Sequence, residues 1–558
     1  MVRRVLNIMY KEVRGLHQAA YVLALFAFGS QLLALVRDRM LAHSFGAGYE
    51  LDVYYAAFRI PDLLFVLFAS TLSVYVLIPF VASARTNGEG DTAARHLLAQ
   101  VFTLFLIIYT VLAGVIAVFA PTLTGLFFPG LAEDTTLPLM IQILLLQPFF
   151  LGISSLFGVV TQLGHRFVLF AISPLIYNLG IIFGIAVLEP IMGLSGLAYG
   201  VVLGAIGHML IQLPLVRNSS LSFSYTFQFD WAKIRSVLTT SVPRAITLSL
   251  NQFVLIVFVS MASLMAVGSV SVYQFAYNLQ SVPLAIIGAS YSVAAFPILA
   301  QLAAKKEFDS FQIHITTAMK HIIFWSLPTI ALIVVIRAQF VRVILGSGAF
   351  DWSDTRLTAA VLALLALSLV AQAVSLLAIR AFYAGGYTRI PFYTSILGAG
   401  LAVLAAIGLL ELYTNSEQFR YALTSLLRVD DVPGSEVLVL GLGYAIGVTV
   451  QGLLLFVLLA QTFTVKLGWL PMHVLRSLAA ALLGGAAAYA TLNFIVVGIN
   501  PETFIGIFIQ GLFAGIMGVI GIIVGYALLN SPELWEVQQS FKKRLFKTDV
   551  VKPQKELL

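Results

Sequence analysis

Apolar runs of about twenty residues or more follow one another along almost the whole chain, and polar residues gather in the short breaks between them. A helix of about 20 apolar residues crosses the ~30 Å hydrocarbon core of a bilayer. Backbone amides in lipid must find their partners within the protein, so these runs predict α-helices. A transmembrane barrel would show alternating segments of about ten residues instead, and the continuous runs exclude it. The pattern predicts fourteen spans, at 17–41, 51–84, 97–128, 135–163, 167–189, 193–216, 236–265, 270–303, 314–338, 357–384, 389–413, 437–463, 471–497 and 503–530. The second and eighth exceed a straight crossing, which predicts tilt or an interfacial piece. The longest hydrophilic connection is 414–436, and no stretch reads as a soluble domain.

Charge alternates between the two sets of loops. One set carries Arg3, Arg4, Lys11 and Arg14, then Arg85, Arg95, Arg166, Arg217, Lys233, Arg235, Lys305, Lys306, Arg389 and Lys466, with Lys542, Lys543, Arg544 and Lys547 in the tail. The other carries Glu50, Glu133, Asp134, Glu411, Glu417, Asp430 and Asp431, with Arg337, Arg342, Arg356, Arg420 and Arg428 as its basic residues. Lys and Arg stay on the cytoplasmic side of short loops, so both termini are expected there. No small-residue cleavage site follows the first apolar run, so it is expected to remain as helix 1.

A faint repeat divides the chain. Ser73-Val74-Tyr75-Val76-Leu77-Ile78-Pro79 closes the second span, and Tyr291-Ser292-Val293-Ala294-Ala295-Phe296-Pro297 closes the eighth. Tyr55 then matches Tyr273, Ser70 matches Gly288, and Asp134-Thr135 echoes Asp354-Thr355, all at an offset of 218–220. Six helices separate the copies, and an even number keeps them in one orientation. The expected fold is therefore an all-α integral membrane protein of two six-helix lobes plus two further helices. Its parts are a cytoplasmic segment 1–16, an N-lobe 17–217, a C-lobe 233–463, two added helices in 471–530 and a basic tail 531–558.

Composition agrees with this reading and removes several alternatives. Apolar residues make up 60% of the chain and charged ones only 10%, where a soluble protein carries about 25% charged. A net charge of +7 matches basic cytoplasmic loops and is no argument for nucleic acid. There is no cysteine, so disulfides, thiolate catalysis and Cys-based metal sites are excluded. The histidines do not stand with carboxylates at metal-ligand spacing. No phosphate-binding loop, dinucleotide fingerprint or nucleophile elbow occurs, so neither catalytic nor metal-ligating residues are assigned.

Ionisable residues within spans are costly and point to function. Helix 1 carries Arg37, Asp38 and Arg39; helix 2 carries Arg59 and Asp62, three apart and so on one face. Arg244, Asn251 and Gln252 lie on helix 7, and Gln274, Asn278 and Gln280 on helix 8. If these four helices face one another, Arg37, Arg59, Asp62, Asp38, Asn278, Arg244 and Asn251 form a polar binding site. A guanidinium fork suits phosphate oxygens. The plainer alternative is that Arg59 and Asp62 neutralise each other, that Arg37 to Arg39 mark a helix end, and that Arg244 snorkels to the surface. Pro61, Pro283 and Pro297 are candidate bends for gating. Gly196, Gly200 and Gly204 form a ladder suited to close helix packing.

Four stretches resemble the MurJ-type (MviN) lipid II flippases of the multidrug/oligosaccharidyl-lipid/polysaccharide exporter superfamily. They are Arg37-Asp38 with Phe45-Gly46-Ala47-Gly48, Asp52 and Phe58-Arg59-Ile60-Pro61; Gln147-Pro148-Phe149-Phe150 with Pro174 and Asn178; Gly268-Ser269-Val270-Ser271 with Ala276, Leu279, Pro283, Gly288 and Phe296-Pro297; and Gly348-Ala349-Phe350-Asp351, Asp354-Thr355, Arg380-Ala381-Phe382-Tyr383-Ala384 and Thr388-Arg389-Ile390-Pro391. The resemblance implies a multi-pass inner-membrane flippase, not an enzyme, that moves a lipid-linked cell-wall precursor by alternating access. It implies a lipid-facing groove at the last two helices, and membrane lipids as further partners. It also implies a monomer and no cofactor, with coupling to an ion gradient or the membrane potential. The chain departs from that pattern where arginine is usual, at Gln31 and Asn278, and in helix 2, where Asp62, Phe65, Val66, Ala69, Ser70 and Thr71 replace an Asn, an Arg pair and Ala-Glu-Gly. Two other readings stay open: an ion-coupled exporter of amphipathic or polyprenyl-linked cargo, with Asp62 and Asp52 as ion sites, and a transport-inactive scaffold for envelope synthesis.

Overall fold

A computed structural model describes residues 16–71, 77–78, 80–81, 90–164, 166–219, 221, 223–496, 498–500 and 503–545. The predicted segment 1–16, apart from Leu16, and much of the predicted tail 531–558 lie outside the described residues, as does the Ser73–Val76 stretch of the repeat. The principal helices are α1 (Leu16–Phe45), α2 (Tyr49–Ala57), α3 (Arg59–Thr71), α4 (Gly90–Phe127), α5 (Thr136–Leu144), α6 (Leu146–Leu163), α7 (Phe167–Phe183), α8 (Leu194–Leu210), α9 (Trp231–Ser263), α10 (Ser269–Leu284), α11 (Ser290–Ala304), α12 (Phe308–Leu345), α13 (Trp352–Ala366), α14 (Leu369–Ala384), α15 (Arg389–Asn415), α16 (Glu417–Leu427), α17 (Leu438–Thr462), α18 (Leu470–Ala490), α19 (Phe504–Leu528) and α20 (Pro532–Leu545). No strand occurs among the described residues. Eleven of the described helical stretches are long and apolar enough to cross a membrane, and α13 with α14, bent through 48°, makes up to a twelfth.

Two compact units share these helices. One comprises residues 1–279, 344–365 and 388–451; the other comprises 280–343, 366–387 and 452–558. In the first unit, α7 and α8 meet through glycine. A Cβ added to Gly180 would lie 2.2 Å from the Cα of Gly204, and one added to Gly200 would lie 2.3 Å from that of Gly184. The glycine ladder is thus a packing device, because only glycine lets two backbones approach so closely. Phe68, Phe105, Tyr109 and Phe149 fill the space between α3, α4 and α6 with ring-on-ring contacts.

The long second span is broken. α2 ends at Ala57 and α3 restarts at Arg59, two residues ahead of the buried Pro61. Proline has no N–H to give the carbonyl four residues back, and its ring crowds that carbonyl. The eighth span is also interrupted: Pro283 stands just before a π-helical turn, Ala285–Ala289. Pro297 lies inside α11.

The copies of the repeat meet in this unit. Asp52 of α2 accepts hydrogen bonds from the backbone N–H of Gly268 (2.7 Å) and of Ser271 (2.8 Å) and from the Ser271 hydroxyl (2.6 Å). Asp52 and Ser271 are 219 residues apart, which is the repeat offset. The carboxylate caps the exposed N–H groups at the start of α10, so its acceptor sites are committed to the fold. The hydrophilic connection 414–436 contains α16. The Ser416 hydroxyl caps it by accepting from Phe419 N–H, and Leu423 and Leu427 bury its apolar side.

In the second unit, α18 and α19 pack along Gly484, Gly518, Gly521 and Gly525. α20 then docks on the helical unit. Glu533 meets the His473 ring at 3.2 Å, and Glu536 meets His321 at 3.2 Å. The Tyr526 hydroxyl donates to the Phe324 carbonyl at 2.7 Å.

Candidate membrane-buried binding site

The polar residues picked out on helices 1, 2 and 8 form one continuous hydrogen-bonded network within the first unit. Arg37 donates through Nε (3.0 Å) and Nη2 (2.7 Å) to Asp38 Oδ1. Its Nη1 donates to Asn178 Oδ1 of α7 at 3.3 Å, and Asn178 in turn donates to the Ser30 hydroxyl at 3.1 Å. The other oxygen of Asp38 accepts from Asn278 of α10 at 3.0 Å. Asn278 Oδ1 accepts from Gln274 at 2.6 Å, and Gln274 Oε1 accepts from Arg59 Nη2 at 2.5 Å. Arg59 Nε closes the chain on the Tyr55 carbonyl of α2 at 3.2 Å. Successive turns of α10 carry Gln274 and Asn278, so the i,i+4 spacing lets one amide bridge to the next.

Arg59 and Asp38 are each 4% exposed, and the Arg37 side chain keeps 22%. A charge this deep in a low-dielectric region persists only with close partners. Arg37 has a carboxylate in direct contact. Arg59 has neutral acceptors in contact and takes its counter-charge from Asp62, one turn along α3. Asp62 in turn interacts with Arg59 and with the side chain of Gln147 from α6. Tyr55, Tyr273 and Tyr277 also surround Arg59.

Not every predicted residue joins this network. Asn251 donates to the Tyr277 hydroxyl at 3.2 Å and accepts from that of Tyr444 at 3.4 Å, so it belongs to an adjoining tyrosine cluster. Arg244 lies on α9, but its side chain is outside the described residues. Arg39 donates to the Ile344 carbonyl at 3.2 Å, away from the other two arginines' partners. The bridging part played by Asn178, and the burial of Gln147 near the site, were not visible in the sequence. Both stand in apolar spans where a lone amide carries no periodic signal.

The family profile described as Lipid II flippase MurJ matches residues 41–506. The chain belongs to the MurJ family. A Burkholderia cenocepacia protein named lipid II flippase MurJ is 24% identical over 501 residues, covering 88% of this chain and 92% of its own length. A Rickettsia prowazekii protein named probable lipid II flippase MurJ is 25% identical over 381 residues, covering 67% of this chain and 75% of its own. Among solved structures, a lipid II flippase MurJ in an inward closed conformation superposes with a TM-score of 0.72 at 20% identity, over 91% of this chain and 99% of that one. An inward-facing multidrug resistance MATE family transporter of the MOP superfamily gives 0.62 at 14% identity, over 78% and 94%. The MurJ fold of a multi-pass helical transporter is therefore established. Asn278, standing where arginine is usual, links Asp38 to the Gln274–Arg59 pair. Gln31 is exposed. The two guanidinium groups and the two carboxylates of Arg37, Asp38, Arg59 and Asp62 sum to no net charge.

Proposed function

We propose that this protein translocates lipid II, the undecaprenyl-diphosphate-linked peptidoglycan precursor, from the inner to the outer face of a bacterial cytoplasmic membrane. The observation that carries the reading is that Arg37 and Arg59, which lie in the first and second predicted spans, share one hydrogen-bonded network. A guanidinium presents a planar fork of donors to phosphate oxygens, and a poorly solvated site strengthens that attraction. The diphosphate and sugars would exchange places with the network's internal partners while the polyprenyl tail stays in lipid. The proline breaks beside Arg59 and after Gln280 supply bends for opening to alternate sides. The driving force is an ion gradient or the membrane potential. The protein works as a monomer with both termini in the cytoplasm, where the basic composition of the tail favours anionic lipid.

Complementation of a flippase-depleted bacterium tests this directly, read out as lipid II accessible at the outer face. The native chain restores accessibility, and Arg37→Ala or Arg59→Ala, inserted at native levels, does not. Intact transport in both variants overturns the reading.

A further inference from the structure

Helix α10 carries two polar stripes side by side. Gln274 and Asn278, one turn apart, form the stripe that links Arg59 to Asp38. Tyr273 and Tyr277 each stand one residue earlier, about 100° round the helix, and their rings stack with centroids 6.3 Å apart. This second stripe has partners of its own. The Tyr277 ring meets Tyr444 of α17 edge-on at 5.7 Å. Phe258 of α9 packs on Tyr273 at 5.7 Å and on Tyr444 at 6.3 Å. Asn251, two turns before Phe258 on α9, donates to the Tyr277 hydroxyl at 3.2 Å and accepts from that of Tyr444 at 3.4 Å.

The cluster is solid behind and open in front. Tyr273, Tyr444 and Phe258 are buried, Tyr277 is half-buried and Asn251 is exposed. Asn251 lies within Ala245–Ser263, a stretch of α9 apolar enough to cross a membrane. An amide exposed there to hydrocarbon would forfeit its hydrogen bonds to water, so this face is suited to polar matter. Its two bonds to the tyrosines are long and therefore readily exchanged. The Tyr273 hydroxyl is buried with no hydrogen-bond partner among the described residues, so the cluster also holds a spare donor.

None of these five side chains is charged. The arginines serve a diphosphate better than this stripe can. What the stripe offers is an aromatic face edged by hydroxyl and carboxamide groups. That chemistry suits a neutral, hydroxyl-rich ring, whose C–H face packs on the aromatic surface while its hydroxyl and acetamido groups pair with phenol and amide. We infer that Tyr277 and Asn251 form a sugar subsite, which binds the amino sugar attached to the diphosphate. This rests on the proposed transport reading and divides the same site in two: an anion-binding half on Arg37 and Arg59, and a neutral half between α9, α10 and α17. The two stripes of α10 are neighbours, as the sugar and the diphosphate are in the cargo.

The full chain in lipid nanodiscs tests this with two ligands, lipid II and undecaprenyl diphosphate, which lacks the sugars. Asn251→Ala and Tyr277→Leu are each expected to weaken lipid II binding about tenfold and to leave undecaprenyl diphosphate binding within about twofold of native. Tyr277→Phe, which keeps the ring, is expected to lose about threefold for lipid II alone. Retained affinity for undecaprenyl diphosphate shows that a variant is folded. Asn251→Ala trims an exposed side chain, so it carries the test if losing the Tyr277 ring impairs folding. Equal losses for both ligands in Asn251→Ala and Tyr277→Phe, or no loss for lipid II in either, overturn the inference and leave the transport reading standing. A native protein that binds neither ligand overturns the transport reading itself.

Discussion

The pairs Arg37–Asp38 and Arg59–Asp62 have the same composition and opposite construction. In the first, the carboxylate touches the guanidinium twice and a neighbouring amide holds its other oxygen. In the second, the guanidinium spends its donors on a backbone carbonyl and an amide, and among the described residues it makes no direct hydrogen bond to the Asp62 carboxylate. A tight pair stores its charges as structure. A loose pair leaves them available for exchange with something that enters. Charge content alone therefore does not identify the responsive half of a binding site; the hydrogen bonds around each charge do.

Four experiments press on that contrast. The largest effect is expected from removing the cations, which both pairs need. Arg37→Ala and Arg59→Ala should each weaken lipid II binding by about a hundredfold, near 3 kcal/mol, measured on protein in nanodiscs. Next, Asp38→Asn should lower thermal unfolding stability by roughly 3 kcal/mol because it strands Arg37, while Asp62→Asn, which leaves Arg59 its two neutral acceptors, should cost less. Equal losses would mean that the two pairs are built alike after all. Asn278→Ala interrupts the bridge between the pairs and should cost about 1 kcal/mol in the same assay. A double-mutant cycle with Gln274→Ala should then show non-additivity.

The smallest effect concerns a third acidic group, outside the spans. Burial pushes the Glu533 carboxyl up, but hydrogen bonds from His473, Ser531 and the backbone outweigh it and hold the group down at about 2. A depressed carboxylate contributes stability above its unfolded value near 4.5, and that contribution fades as pH falls from there toward 2. Thermal stability of the native chain should therefore lose a component across that acid window that Glu533→Gln lacks. Near neutrality the only difference left should be the cost of the substitution itself.

The fold was largely legible because lipid leaves one solution to an apolar run of twenty residues. The break at Phe58 was foreshadowed by the excess length of that span and by Pro61. The bend between α13 and α14 carried no such mark, since no proline or glycine lies between Ala366 and Leu369. α16 was missed because its apolar residues cover a single face of eleven residues within an otherwise polar stretch. At the site, Arg37, Asp38, Arg59 and Asn278 were legible because charges and amides are rare in spans. Their pairing was not. Arg59 reaches Gln274, 215 residues away, and no local spacing announces such a partner. Asp52 read as an ion site on its charge alone, and only its contact with Gly268 and Ser271 shows it to be a helix cap.

That cap has a bearing on biogenesis. The start of α10 is completed by a side chain synthesised 219 residues earlier, so the later half cannot finish its entry helix by itself. The cap closes only once the earlier half presents Asp52 at the depth of the first turn of α10. The first copy then acts as a template against which the second is registered. Exchanging the order of the halves, or expressing the second alone, would leave α10 to fray at its first turn.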